Sequence, residues 1–160
     1  HREQIGVSSV TTTIGSLYEI GVKQGTNAKF EKNYEEAIKW YRKALSRNDD
    51  PLAHLGLGRI YYHGSSTIDV NLQEAQIHLR KAYENNLQQS AIYLGFMSMV
   101  GKGVEKNSAD ARQYLSTAAA AGIPEAYRYL AELELQSGNL GRGIALLFKW
   151  LVTLIWLKLT

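Results

Sequence analysis

The sequence predicts an all-α fold: a solenoid of about four antiparallel helix pairs with an apolar C-terminal helix. Three observations predict it. Asn, an acidic residue three positions later and Ala directly after it recur as Asn33, Glu36, Ala37, as Asn71, Glu74, Ala75 and as Asn107, Asp110, Ala111. The copies lie 38 and 36 residues apart, a period typical of stacked helix pairs that are each too small to bury their own apolar face. Behind each copy the apolar residues fall at intervals of three and four, and the chain ends in an apolar run from Ile144 to Leu159.

Each Asn is placed to cap a helix. Its side-chain oxygen can accept a backbone N–H of the first turn, while the acidic residue three positions on reaches back to the Asn N–H. The stripes that follow are Ala37, Trp40, Tyr41, Ala44 and Leu45, then Ala75, His78, Leu79, Ala82 and Tyr83, then Ala111, Tyr114, Leu115, Ala118 and Ala119. These are the second helices of their pairs, with small Ala at the ends of the stripe admitting a neighbour and a larger residue filling the gap. First helices lie upstream: a most eroded copy around Leu17, then Leu57-Gly58 with Tyr61 and Gly64, Leu94-Gly95 with Gly101, Gly103 and Val104, and a weaker copy from Ala126 to Leu135 with Leu130-Ala131 at the Leu-Gly position. Asp50-Pro51 and Gly122-Ile123-Pro124 place a stop or cap and an early Pro before new first helices. A fourth start at Asn139 has Arg142 and Gly143 where acid and Ala are expected. Terminal repeats are commonly degenerate in this way. The division that follows is a solenoid over 1–150, with units at about 12–47, 51–87, 88–122 and 123–150, and an apolar helix over 140–160.

At 160 residues and 45% apolar content the chain is long enough for one continuous core. Cysteine is absent, which excludes disulfides and Cys-based metal or redox sites. The first residue is His1 rather than Met, which reads as a processed or excised fragment. Residues 1–134 hold fifteen Lys plus Arg and fifteen Asp plus Glu, so the net +3 comes from Arg142, Lys149 and Lys158. The repeat body is neutral, and helical repeats that track a phosphate backbone need a basic groove. No nucleic-acid partner is expected.

The tail is apolar around most of its circumference. A helix over 140–160 would be about 31 Å long, close to the hydrocarbon thickness of a bilayer. Trp150 and Trp156 with flanking Lys suit an interface, whereas Lys149 near the middle is costly in a span unless it snorkels. Two readings stand side by side. In one, Leu147, Phe148, Trp150, Leu151, Leu154, Ile155 and Trp156 contact a membrane or an integral membrane protein. In the other, Ile144 to Leu151 is the second helix of the last pair and the remainder caps the solenoid or docks on a following element. Localisation stays open between membrane-associated and soluble.

The chain offers little chemistry. Gly101-Lys102-Gly103 lacks the spacing and the Ser/Thr of a phosphate loop and reads as an interhelix turn. His54, His63 and His78 have no i,i+4 partner and no HExxH context, and His78 in its stripe reads as a buried, hydrogen-bonded packing residue. Asp49-Asp50 is more simply a cap than an acid pair. No cofactor, no metal site and no catalytic constellation is expected, so the chain does not read as an enzyme.

Surface recognition remains. Aligning first helices on Leu57, Leu94 and Leu130 gives Gly56, Tyr93, Tyr129 one position before, Arg59, Phe96, Glu132 two after, and Tyr62, Met99, Leu135 five after. These columns fall outside the Ala-Leu-Gly stripe, and aromatics and Arg commonly anchor interfaces. Arg59, Tyr62, Tyr93, Phe96, Tyr129 and Glu132 are therefore the candidate partner-binding residues, in a concave groove suited to a protein or peptide, with packing between repeats the alternative role for Tyr93 and Phe96.

Residues 53–64 read Ala-x-x-x-Leu-Gly-x-x-Tyr-x-x-Gly, and residues 94–119 read Leu-Gly-x-x-x-x-x-Gly-x-Gly-Val followed by Asp-Ala-x-x-Tyr-Leu-x-x-Ala-Ala. This resembles the Sel1-like repeat, a relative of the tetratricopeptide repeat with a slightly longer and more variable unit. The resemblance covers roughly residues 12–150. It departs in the first unit, which lacks the Gly-x-Gly loop, and in the fourth, whose loop shrinks to Gln136-Ser137-Gly138. The resemblance implies a right-handed superhelix of the tetratricopeptide type. It also implies a non-catalytic adaptor or scaffold serving a cell-envelope, signalling or quality-control complex, for which the apolar last helix is a candidate membrane tether. The alternative is a soluble structural fragment of a larger enzyme or secretion complex whose apolar tail docks on another domain.

Overall fold

The computed structural model describes residues 2–21, 23–24, 28–29 and 32–159, with side chains over 10–21 and 32–159. Its helices are α1 (Arg2–Ile20), α2 (Tyr34–Leu45), α3 (Pro51–His63), α4 (Leu72–Glu84), α5 (Ala91–Val100), α6 (Ser108–Ala120), α7 (Pro124–Gln136) and α8 (Leu140–Leu159), with a 3-10 turn at Gln88–Ser90. The loop after α1 carries a two-residue antiparallel ladder, Lys23–Gln24 against Ala28–Lys29. The chain forms two units, 1–87 and 88–160. In the first, α1 packs on α2 and α3 on α4; in the second, α5 packs on α6 and α7 on α8.

The local signals act as expected. Asn33, Asn71 and Asn107 have extended backbones and accept N–H bonds from Glu36, from Glu74, and from Ala109 and Asp110 respectively. Pro51 and Pro124 open α3 and α7. Gly101 and Gly103 take positive φ in the turn after α5. The capping box, however, is only half formed. The Asn N–H groups do not meet the acidic residue; they donate to a carbonyl in the last turn of the preceding helix, at Tyr18, Tyr61 and Ser98. Asn139 does the same toward Glu134. In all four pairs the acceptor is the third residue from the end of the first helix, a carbonyl that the helix itself leaves unpaired. Each Asn thus closes one helix with its backbone. The first three also open the next helix with their side chain, and intervening loops of very different length return to the same point.

In each pair a glycine decides how closely the two helices pack. A Cβ on Gly58 would lie 2.6 Å from Leu79 Cγ, and one on Gly95 2.7 Å from Leu115 Cγ. Leu79 and Leu115 are fully buried. In the first pair, whose eroded copy the sequence places around Leu17, the corresponding glycine is Gly15: a Cβ there would lie 2.8 Å from the ring of Tyr41. Tyr41 also sits against Gly56, so Gly56 belongs to the packing and not to a free surface column. The fourth pair carries Ala131 at the glycine position and moves the clearance to α8, where Gly143 faces Leu135.

Candidate interaction surfaces

In the first unit the buried carboxylate of Glu19 organises the meeting of α1, α2 and α3. It accepts the Tyr41 hydroxyl at 2.6 Å and the Arg59 Nε at 2.9 Å, with Arg59 Nη2 also in contact. Burial first, and then the bond to Glu19, raises the pKa of the Tyr41 phenol far above its ordinary value, so the hydroxyl stays a donor. Arg59 is therefore committed to an ion pair and lines a cleft of about 530 Å³ whose walls include Thr13, Ser16, Ile20, Asp49 and Leu52. Tyr62 is buried and lies edge-on to His63. Met99 is likewise buried while Leu135 is exposed, so the column that spacing placed outside the stripe lies inside it at two of its three positions.

The cap at Asp50 agrees with the sequence, whereas the polar chain that continues from it across α3 and α4 has no signal in the spacing. Asp50 caps α3 through Leu52 N and accepts the Thr12 hydroxyl, while Asp49 turns to His54 at 2.7 Å and to Asn85 at 2.8 Å. These two bonds, His54 first, lower the pKa of the Asp49 carboxyl. His54 is almost completely buried, and its other ring nitrogen lies 2.7 Å from His78 Nδ1. His78 is only half-buried. Tyr61 stacks beside it, and Glu74, one helical turn earlier, stands 3.8 Å from its Nε2, so His78 does have the i,i+4 neighbour that the spacing argument denied it. Desolvation, followed by the charges of His54, Lys81 and Arg42, lowers the His78 pKa to about 4. The two imidazoles converge from α3 and α4, 24 residues apart, which i,i+4 spacing could not reveal. Among the described residues no group of three His, Cys, Asp or Glu side chains is arranged to hold a metal ion.

In the second unit, α5 and α7 bring Phe96 and Tyr129 together with ring centroids 5.1 Å apart. The Arg128 guanidinium lies over Tyr129 at 4.2 Å. Glu132 is exposed and accepts from Gln136, and Tyr93 is half-buried on α5. Arg128 was absent from the aligned columns because it precedes the aromatic by one residue; its cation–π contact is the signal that joins it to the patch. Behind the patch, Glu134 is buried with Arg112 and Arg142 on one carboxylate oxygen and Asn139 on the other. No described buried side-chain N or O lacks a hydrogen-bond partner.

Along α8, Gly143 is the buried residue. Leu147, Trp150 and Leu154 are half-buried, while Phe148, Leu151, Ile155 and Trp156 are exposed, Phe148 at 68%. The helix is long and apolar enough to cross a membrane by length and composition.

Residues 15–49, 51–87 and 88–123 match the Sel1 repeat, and residues 106–152 match a tetratricopeptide repeat. Over 133 residues, 82% of this chain, the sequence is 32% identical to chitin synthase regulatory factor 3 of Schizosaccharomyces pombe. It is 32% identical over 96 residues, 60% of this chain, to an uncharacterized protein of Neisseria meningitidis serogroup B. The chain spans only 14% and 20% of the length of these two relatives. Among solved structures, a Sel1 repeat protein from Oxalobacter formigenes superposes with a TM-score of 0.76 at 28% identity, covering 91% of this chain and 58% of that one. A protective antigen present in uropathogenic Escherichia coli strains, with an SLR fold, gives 0.71 at 22% identity over 89% of this chain and 30% of its own. The latter likeness is one of fold.

Proposed function

The chain belongs to the Sel1 repeat family, and on that premise we propose that it is a non-catalytic adaptor that binds a protein or peptide and is tethered to a membrane by α8. Sel1 and tetratricopeptide repeat proteins are typically protein-interaction scaffolds. The observation that carries the reading for this chain is the Phe96–Tyr129–Arg128 cluster, two aromatic rings and a guanidinium on neighbouring first helices. Such groups combine large contact area with directional charge, the usual composition of an interface anchor. Tyr93 and Glu132 on the same two helices extend the patch, and Arg59 in the first unit would face a ligand entering the cleft beside α1. The complex served would be one of the cell envelope, of signalling or of quality control.

The test is titration of a cross-linked and identified partner against the double variant Tyr93→Ala with Tyr129→Ala. Anchors of this kind cost about 2 kcal/mol or more on truncation, a loss of at least about thirty-fold in affinity. Unchanged affinity in a variant with native circular dichroism would remove the patch from the binding site. A second reading is favoured by the length of α8 that stays exposed: the chain is part of a larger enzyme or secretion assembly, with α8 docking on another domain. Solubility gained only by co-expression with a soluble partner supports this second reading, and solubility gained only in detergent supports the tether.

A further inference from the structure

Resting on the tethered-adaptor reading, we propose that α8 does not span a bilayer but lies along the surface of an anionic membrane, with one face in the acyl boundary and its lysines among the headgroups. The packing of α8 argues against a span. Gly143 is buried, and Leu147, Trp150 and Leu154 follow it at helical spacing on the side that meets α7. Only residues 155–159 extend past this stripe, about 7 Å of helix against the roughly 30 Å of a hydrocarbon core. A span would draw α7 into the bilayer with Glu125, Arg128 and Glu132, which are at least partly exposed to water.

The outward side of the helix has the layout of an interfacial element. Ile144, Phe148, Leu151, Ile155 and Leu159 are exposed and fall within about 80° of one another at 3.6 residues per turn. Arg142 and Lys149 lie about 120–140° from the centre of that face, flanking it rather than interrupting it. Lys149 is therefore costly at the midpoint of a span yet well placed at an interface. Lys158, closer to the apolar face, is at the exposed end of the helix, where its stem can snorkel. Trp156, exposed toward the end of the helix, is of the residue type enriched at the headgroup boundary. Charge complementarity selects the lipid: α8 contains no acidic residue, and it carries the entire net positive charge of the chain. Each Lys near an anionic leaflet contributes about five-fold in binding, whereas a second copy of the same cationic helix would be repelled.

The experiment is flotation of the full chain with phosphatidylcholine vesicles prepared with and without phosphatidylserine, at low and high salt, followed by alkaline carbonate extraction. The expected result is flotation with the anionic vesicles, loss of binding in high salt and release by carbonate. Lys149→Gln and Lys158→Gln each weaken binding by about five-fold, and Phe148→Asp with Ile155→Asp abolishes it. All four residues are exposed, so native circular dichroism is retained, and quenching of Trp fluorescence by brominated lipid reports the same insertion without any variant. Equal flotation with both vesicle types that resists carbonate would overturn the surface orientation while leaving the tether standing. Failure to float with either vesicle would overturn the tether as well, leaving α8 as a protein-docking helix.

Discussion

Substituting Gly95 by Ala should destabilise the second unit although Ala is the better helix former. The added Cβ would lie 2.7 Å from Leu115 Cγ, 2.8 Å from Cδ2 and 3.2 Å from the Leu115 backbone nitrogen. A rotamer change relieves the first two contacts but not the third, and Leu115 is fully buried with no open side into which to swing. Overpacking of this kind costs about 1–3 kcal/mol, and replacing a helical Gly returns about 1 kcal/mol. The net expectation is a loss of about 1 kcal/mol, or roughly 2–4 °C in Tm for a chain of this size. Gly141 supplies the control: it is exposed in the first turn of α8 and a Cβ there meets nothing within 4 Å, so Gly141→Ala should stabilise by up to about 1 kcal/mol. Thermal melts followed by far-UV circular dichroism distinguish the two. If Gly95→Ala raises Tm as Gly141→Ala does, the close approach of α5 to α6 is wrong and the repeated Leu-Gly pair has no packing role.

Asn107→Ala removes a side chain that accepts two N–H groups and should cost about 1 kcal/mol, read as a shift in urea midpoint; a melt indistinguishable from the parent would contradict the clasp. Arg112→Met leaves the buried Glu134 carboxylate with Arg142 at 3.6 Å and Asn139 as partners, and the loss should approach 3–5 kcal/mol. Adding Glu134→Leu should recover much of it, and failure of that rescue would show that the cost is not an uncompensated charge. His78 sets a pH dependence. Its folded pKa of about 4 lies below its ordinary 6.5, so the unfolded chain takes up the proton first as pH falls. Stability is full above about pH 6.5 and declines toward pH 4, by about 3 kcal/mol at most. The depressed Asp49 carboxyl is lost only at still lower pH, so the two windows separate. Denaturant titrations of the parent and His78→Gln across pH 4–7 should diverge, and parallel curves would refute the assignment.

Much of the fold was legible because its signals close within one turn. An Asn oxygen reaching N–H groups two or three residues on, Pro at the start of α3 and α7, and Gly122 at positive φ after α6 are satisfied by the neighbouring backbone, so their spacing is their geometry. The same locality explains the half-wrong capping box: Asn–acid spacing is compatible with the reciprocal bond, but the terminal carbonyl of the preceding helix takes the Asn N–H instead. Gly15 was hidden because the first loop is long and displaces it from the repeat period. The aromatic candidates Phe96 and Tyr129 were readable as a register; their ring contact and the Arg128 stack were not.

The sequence by itself determined the helix pairs, their caps, the neutral repeat body and the apolar cationic tail, because each is a property of composition or of neighbours a few residues apart. Only the tertiary structure decided that Tyr62 and Met99 are core, that His54 meets His78, that Glu134 gathers Arg112 and Arg142, and that α8 turns one face to α7. Those outcomes depend on how one helix is rotated about its axis against another. That rotation is set by close packing of side chains from distant positions, a requirement that no single stretch of sequence contains.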